Sequence, residues 1–152
     1  MTREIRETVP RDGEAERAAE AWLRQVGEAA RRVKEIRSRI ELLRMIRADT
    51  AAKLCPVPGR SGSAESKMER LTAEIMSLEQ ELGNAQRIEA ERREAAALAI
   101  SRLADDTVRK VMTLHWLNGM NWTEVGTELG ISRISAYRAR QSGLRQLRFG
   151  DP

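Results

Sequence analysis

The last third of the chain concentrates positively charged side chains on a short stretch. Between Ile131 and Gly150 the sequence holds five arginines and no aspartate or glutamate. These arginines are Arg133, Arg138, Arg140, Arg145 and Arg148. Arginine attracts phosphates by its charge, and its planar guanidinium can donate two hydrogen bonds to guanine O6 and N7. The cluster therefore favours a nucleic acid as partner.

Residue types that support catalysis or metal binding are scarce. Cys55 is the only cysteine and His115 the only histidine. This excludes an intrachain disulfide, a Cys/His zinc site and a triad that needs two such residues. With 3% aromatic and 33% charged residues, extended helices are favoured over one large core. We expect no enzymatic activity, no cofactor and no metal site, and we expect His115 to be structural.

Nothing in the sequence predicts a membrane protein. No apolar run approaches the roughly 18 residues that span a bilayer. The stretch MTREIRETVPRD lacks the apolar core of a signal peptide. A soluble, intracellular protein is the expectation.

The residues from Asn121 to Arg140 predict a helix-turn-helix. This motif needs a small residue inside its first helix and a residue that tolerates positive φ at the turn, and Gly126 and Gly130 stand at those places. Ser132 follows the turn as an expected N-cap of the second helix, and Thr123 is the expected cap of the first. The positions that should face the interior are apolar, namely Val125, Leu129, Ile131, Ala136 and Ala139.

Two long helices are predicted before this motif. From Glu14 to Ala52 there is no proline and Gly27 is the only glycine, which favours a helix. Apolar residues recur there at spacings of three and four, at Trp22, Val26, Ala29, Val33, Ile36, Ile40 and Leu43. The prolines and glycines after Cys55 predict a loop at about 54–66. A second stripe follows at Met68, Leu71, Ile75, Leu78, Leu82 and Ala85.

The predicted fold is therefore all-α, with a long antiparallel helical hairpin (a coiled coil) followed by a small C-terminal helix-turn-helix domain. Residues 1–13 are expected to form a flexible tail, 14–100 the hairpin, and 101–152 the DNA-binding domain. A lone helix cannot bury its stripe, so the hairpin should serve oligomerisation or partner docking. The pattern leaves open whether the stripes pair within or between chains, and a dimer is favoured.

The stretch from Leu103 to Leu147 resembles region 4 of bacterial sigma factors. The residues that carry the resemblance are Val111, Leu114, Trp116 and Gly119, then NWTEVGTELGIS, RISAYRAR, Leu144 and Leu147. The combination of Trp122-Thr123-Glu124 with Tyr137-Arg138, after two long helices, is more similar to phage-encoded sigma region 4-like regulators of late genes, of the ArpU and RinA types. Nothing here resembles the sigma region that melts promoters.

The resemblance implies a recognition helix at 133–142 and assigns roles along it. The expected base-reading residues are Arg133, Ile134, Ser135, Tyr137 and Arg138. The expected phosphate contacts are Thr123, Ser132, Arg140 and Arg145. Ile134 is either a contact to a thymine methyl group or a half-exposed packing residue. For Tyr137 the alternatives are a phosphate contact and simple packing.

The helix-turn-helix and its arginines predict binding to double-stranded DNA. The resemblance implies a sequence-specific transcriptional regulator, phage or prophage encoded, in the cytoplasm of a bacterial host. Two alternatives stay open. One is a phage small terminase-like DNA-packaging protein, which also joins such a motif to oligomerising helices. The other is a sigma-like adaptor that binds RNA polymerase without specific DNA reading.

Overall fold

The described part of the chain, residues 12–54 and 61–149 of a computed structural model, consists of helices and their connections, with no strand among these residues. Two long helices come first, α1 (Asp12–Ala52) and α2 (Ser61–Ser101). Helix α3 (Asp106–Met112) runs on into a π-helical segment (Thr113–Leu117). Helices α4 (Trp122–Leu129) and α5 (Arg133–Gln146) complete the order. The all-α prediction is confirmed for these residues.

Residues 28–91 form one of two compact units. Its core joins both predicted stripes, because Val33, Ile36 and Ile40 of α1 are buried together with Ile75, Leu78 and Ala85 of α2. Ion pairs beside this core link Arg32 to Glu81, Arg39 to Glu74 and Arg44 to Glu79. In this unit the stripes therefore contact each other within one chain.

The second compact unit contains residues 12–27 and 92–149. Its largest core cluster draws on four parts of the sequence. Leu23 of α1, Ile100 at the end of α2, Met112 of α3 and Leu144 of α5 are all buried in it. The small C-terminal helices thus share a core with the first turns of α1 and the last turns of α2.

A short turn sets α5 against α4. Gly130 ends α4 with φ of 65°, a left-handed conformation that glycine adopts without strain. The backbone N–H of Ile131 then donates to Gly126 O at 3.0 Å. A Cβ placed on Gly126 would lie 2.9 Å from the Ile131 carbonyl oxygen, so only glycine fits there. Val111 of α3, Val125 of α4 and Ala136 of α5 are buried together in one cluster between these three helices.

This close approach makes Gly126 a sensitive position. We expect Gly126→Ala to lower the free energy of unfolding by about 1 to 3 kcal/mol, because backbone must shift to admit the methyl group. Gly27→Ala is the matched control, since nothing lies within 4 Å of its added Cβ in the middle of α1. That change should raise stability by about 0.5 to 1 kcal/mol. Urea unfolding followed by circular dichroism measures both, and equal effects would contradict the packing described.

Several predicted boundaries differ in the structure. Helix α1 begins at Asp12, two residues before the expected start at Glu14, and α2 begins at Ser61, inside the stretch 54–66 that was expected to be a loop. The expected tail up to residue 11, and residues 55–60 of the expected loop with Cys55, lie outside the described residues. Helix α5 extends to Gln146, beyond the expected end at 142, because Gly143 and Leu144 continue its buried face.

The predicted division of the chain at residue 101 also does not match the compact units. The unit that contains α3, α4 and α5 takes in residues 12–27 and 92–101 as well. The reason is the shared core, in which Leu23 and Ile100 supply large buried side chains.

Among the described helices, none has an apolar stretch long enough to cross a bilayer.

Candidate nucleic-acid interface

Helix α5 buries one face and exposes the other, as its sequence period requires. Ala136 and Leu144 are buried, while Arg133, Ile134 and Arg138 are exposed. Residues three and four apart share a face of an α-helix, so burial at 136 turns positions 134 and 138 outward. All five predicted base-reading residues are exposed. Ile134 and Arg138 lie opposite Ala136, Ser135 and Tyr137 flank them, and Arg133 lies in the first turn, three residues before Ala136.

Two arginines of this face are available for contacts. Within residues 12–54 and 61–149, neither Arg133 nor Arg138 has an ion-pair partner. No acidic residue occurs in α5 itself. The N-terminal half of α5 therefore presents uncompensated positive charge.

Ser132 and Ser135 form a local network at the start of α5. Ser132 Oγ accepts from the Ser135 backbone N–H at 3.1 Å, which makes Ser132 the N-cap as predicted. The Ser132 hydroxyl also donates to Ser135 Oγ at 2.9 Å. The hydroxyl proton of Ser135 can then point outward, whereas the hydroxyl of Ser132 is engaged within the helix end and offers little to a phosphate.

Arg140 does not share the exposed face. Its guanidinium pairs with Glu20 of α1 at 2.6 Å, and its side chain is 16% exposed. It also lies over the rings of Trp116, Trp122 and Tyr137 at 6.0, 5.6 and 5.7 Å. These contacts anchor α5 to the rest of its unit, so the structure gives Arg140 a packing role where a phosphate contact was expected.

Arg145 is ion-paired, as Arg140 is, but its side chain is exposed, as those of Arg133 and Arg138 are. Its Nε donates to Glu16 Oε1 at 2.5 Å, yet its side chain is 61% exposed. A phosphate at this arginine would therefore meet a carboxylate that already holds the guanidinium. Arg148, which was not a predicted contact, is exposed two residues beyond the end of α5.

The predicted phosphate contact at Thr123 meets an unfavourable charge. Thr123 is exposed in the first turn of α4, but the N-cap of that helix is Asn121 and not Thr123. Asn121 Oδ1 accepts from the Glu124 N–H at 2.9 Å, and Glu124 Oε2 accepts from the Asn121 N–H at 2.8 Å. This capping box engages the Asn121 and Glu124 amides and places the Glu124 carboxylate at the helix start, where it repels an anion.

Sequence reasoning missed the polar residues of the second half of α5. A shallow groove there is lined by Arg138, Gln141, Ser142, Arg145 and Gln146. Gln141 Nε2 lies 3.4 Å from Tyr137 Oη, on the side of the helix that carries Arg138. Gln141 could have been predicted as part of this surface, because residues 134, 138 and 141 are spaced four and three apart and so share one helical face.

His115 belongs to a half-buried aromatic cluster behind this surface. Its ring stacks on Trp122 at 3.8 Å and meets Trp116 edge-on at 4.7 Å, and its Nδ1 lies 2.7 Å from Met120 O. Burial lowers the pKa of His115 below 6.5, and the nearby Arg140 guanidinium lowers it further. The Met120 carbonyl and Glu20 raise this pKa, but their effect is smaller than that of burial.

This lowered pKa predicts a pH-dependent stability. The unfolded chain binds a proton at His115 more readily than the folded chain does, so the free energy of unfolding should fall as the pH drops from above the unfolded pKa of about 6.5 towards the lower folded pKa. The loss begins near the unfolded pKa and is complete below the folded one. His115→Gln should flatten the dependence in this window. Thermal melts of both proteins at several pH values measure it, and parallel curves would contradict the assignment.

No group of three or more potential metal ligands is found among the described residues. No protein-family model matches the sequence, and neither the curated proteins nor the solved structures contain a significant match.

Proposed function

We propose that the chain is a sequence-specific, non-enzymatic DNA-binding regulator that places α5 in the major groove. Helices α4 and α5 and the turn between them would act as a helix-turn-helix. The observation that carries the proposal is the exposed, acid-free N-terminal half of α5, where Arg133 and Arg138 stand unpaired among the described residues.

The dimensions of α5 suit this role. An α-helix with its side chains is about 10 to 12 Å across, and the major groove is about 12 Å wide. The turn at Gly130 and the contact at Gly126 hold α4 behind α5, so that one face of α5 is free to enter the groove. Arg138 would donate to guanine O6 and N7, and Arg133 at the first turn would contact a base edge or a phosphate.

The contacts within the unit refine the expected phosphate residues. Arg140 is held by Glu20, and Ser132 by its capping role. We therefore assign phosphate binding chiefly to Arg148, which is exposed just beyond the end of α5. Arg145 is the second candidate, since its guanidinium is exposed but would have to exchange Glu16 for a phosphate. Affinity should fall as the salt concentration rises, and each phosphate contact should contribute about −0.9 to the slope of log affinity against log salt concentration.

We also propose that the chain forms a homodimer. The core of residues 28–91 covers the buried stripe within the chain. The surface proposed for the dimer is therefore not that stripe but the exposed apolar face of α1 at Leu42, Met45 and Ile46. Sedimentation velocity should show a dimer that Met45→Lys dissociates. A monomer at the concentrations at which DNA is bound would remove the dimer from the account.

Assignment to transcription, in the manner of phage late-gene regulators, rests on the resemblance of Leu103 to Leu147 to sigma region 4. Selection of bound duplexes from a random-sequence library tests the DNA-reading part. The full chain should enrich one motif. An adaptor for RNA polymerase predicts no enriched motif. A packaging protein predicts a ring-sized assembly bound to a site beside the packaging genes.

A further inference from the structure

We infer that the preferred DNA site contains a thymine whose 5-methyl group contacts Ile134, one or two base pairs from a guanine held by Arg138. The inference rests on the proposed function and names the sequence class that this surface selects.

Ile134 is the observation that sets this surface apart. Its side chain is 65% exposed, so it is not a packing residue of the α4–α5 core. Burial of Ala136 and the period of the helix turn it outward. It lies among polar neighbours, with exposed Arg133, Ser135 and Arg138 around it. The exposed face is therefore basic and polar except at this one aliphatic group and the ring of Tyr137.

The major groove offers a limited set of partners for such a group. Its floor presents hydrogen-bond donors and acceptors and one kind of apolar group, the 5-methyl of thymine. An aliphatic side chain brought to the groove floor without that methyl group would remove water from polar base edges and give them no partner. Ile134 therefore favours thymine and disfavours cytosine at the base pair it faces.

The spacing of Ile134 and Arg138 fixes where the guanine should lie. Residues four apart stand on the same helical face, about 6 Å apart along the axis. Stacked base pairs are about 3.4 Å apart. The two side chains thus reach base pairs one or two steps apart. Tyr137 cannot take the place of Ile134, because its ring lies against the Arg140 guanidinium and its hydroxyl against Gln141.

Deoxyuridine tests the methyl contact alone, because it differs from thymidine only by that group. Each thymine of the selected duplex is replaced in turn, and the affinity of the full chain is measured by fluorescence anisotropy. We expect one position in each half-site at which affinity falls about fourfold, the factor that corresponds to about 0.8 kcal/mol for one buried carbon. In Ile134→Ala the same replacement should have no effect, since the contact is already lost.

Leu98→Ala is the matched control. Leu98 is an exposed apolar residue of the same unit, at 54% exposure on α2, and its truncation should leave the deoxyuridine effect unchanged. Circular dichroism checks that both variants are folded. A deoxyuridine effect that persists in Ile134→Ala, or its absence at every thymine in the wild-type chain, would overturn the inference. Failure to enrich any motif would instead overturn the proposed function.

Discussion

A chain reduced to residues 101–152 is expected to be unfolded. Helices α3 and α5 bury Val108, Met112 and Leu144 against a cluster to which residues 12–27 and 92–100 contribute Leu23 and Ile100. Removing those parts exposes the apolar faces of the short helices, and loss of one large core side chain alone costs about 2 to 5 kcal/mol. Circular dichroism and proton NMR should show little helix and no dispersed methyl signals.

Removal of residues 28–91 is the matched control for this truncation. These residues form their own compact unit, and the Arg92 guanidinium lies 3.4 Å from Gln25 O, so the two cut ends are neighbours. With a short Gly/Ser loop between Gly27 and Arg92, the remaining chain should keep its helical spectrum and a cooperative melt. A cooperative melt for residues 101–152 alone would contradict the shared core.

Arg138→Ala is expected to weaken binding to the selected duplex by about 10- to 100-fold, or about 1 to 3 kcal/mol. The expected loss is large because the guanidinium would donate two hydrogen bonds to one guanine and the variant leaves that base edge unpaired. Binding to unrelated duplexes should change much less. Anisotropy titrations at fixed salt on both kinds of duplex measure the difference.

Two variants sharpen that experiment. Arg138→Lys keeps the charge but loses the planar fork, so it should recover binding to unrelated DNA and little of the specificity. Arg37→Ala removes an exposed arginine from α1 in the other unit and should change neither affinity. An equal loss on every duplex for Arg138→Ala would make Arg138 a phosphate contact.

The local parts of the fold could be predicted from the sequence because their signals are local. The period of apolar residues gave the helices, and Gly130 with Ser132 marked the end of α4 and the start of α5. The exposed set on α5 followed from the same period. The N-cap of α4 was predicted wrongly, although Asn121 and Glu124 stand at the spacing of a capping box.

The long-range contacts could not be predicted in this way. Glu16 and Glu20 are separated from Arg145 and Arg140 by most of the chain, and only the folded core brings them together. In the charge pattern of the sequence the five arginines are therefore equivalent. In the structure Arg140 and Arg145 are ion-paired with glutamates of α1, whereas Arg133 and Arg138 have no ion-pair partner among the described residues. The compact units differ from the predicted division at residue 101 for the same reason, because Leu23 of α1 is buried in a core cluster with Met112 and Leu144.

We propose that the exposed N-terminal face of α5 reads bases in the major groove. Methylation interference on the selected duplex tests it most directly, because dimethyl sulfate modifies guanine N7 in the major groove and adenine N3 in the minor groove. We expect N7 methylation of one guanine to block binding of the wild-type chain and to have little further effect on Arg138→Ala. Interference only at adenine N3, or a guanine block that is unchanged in Arg138→Ala, would contradict the account.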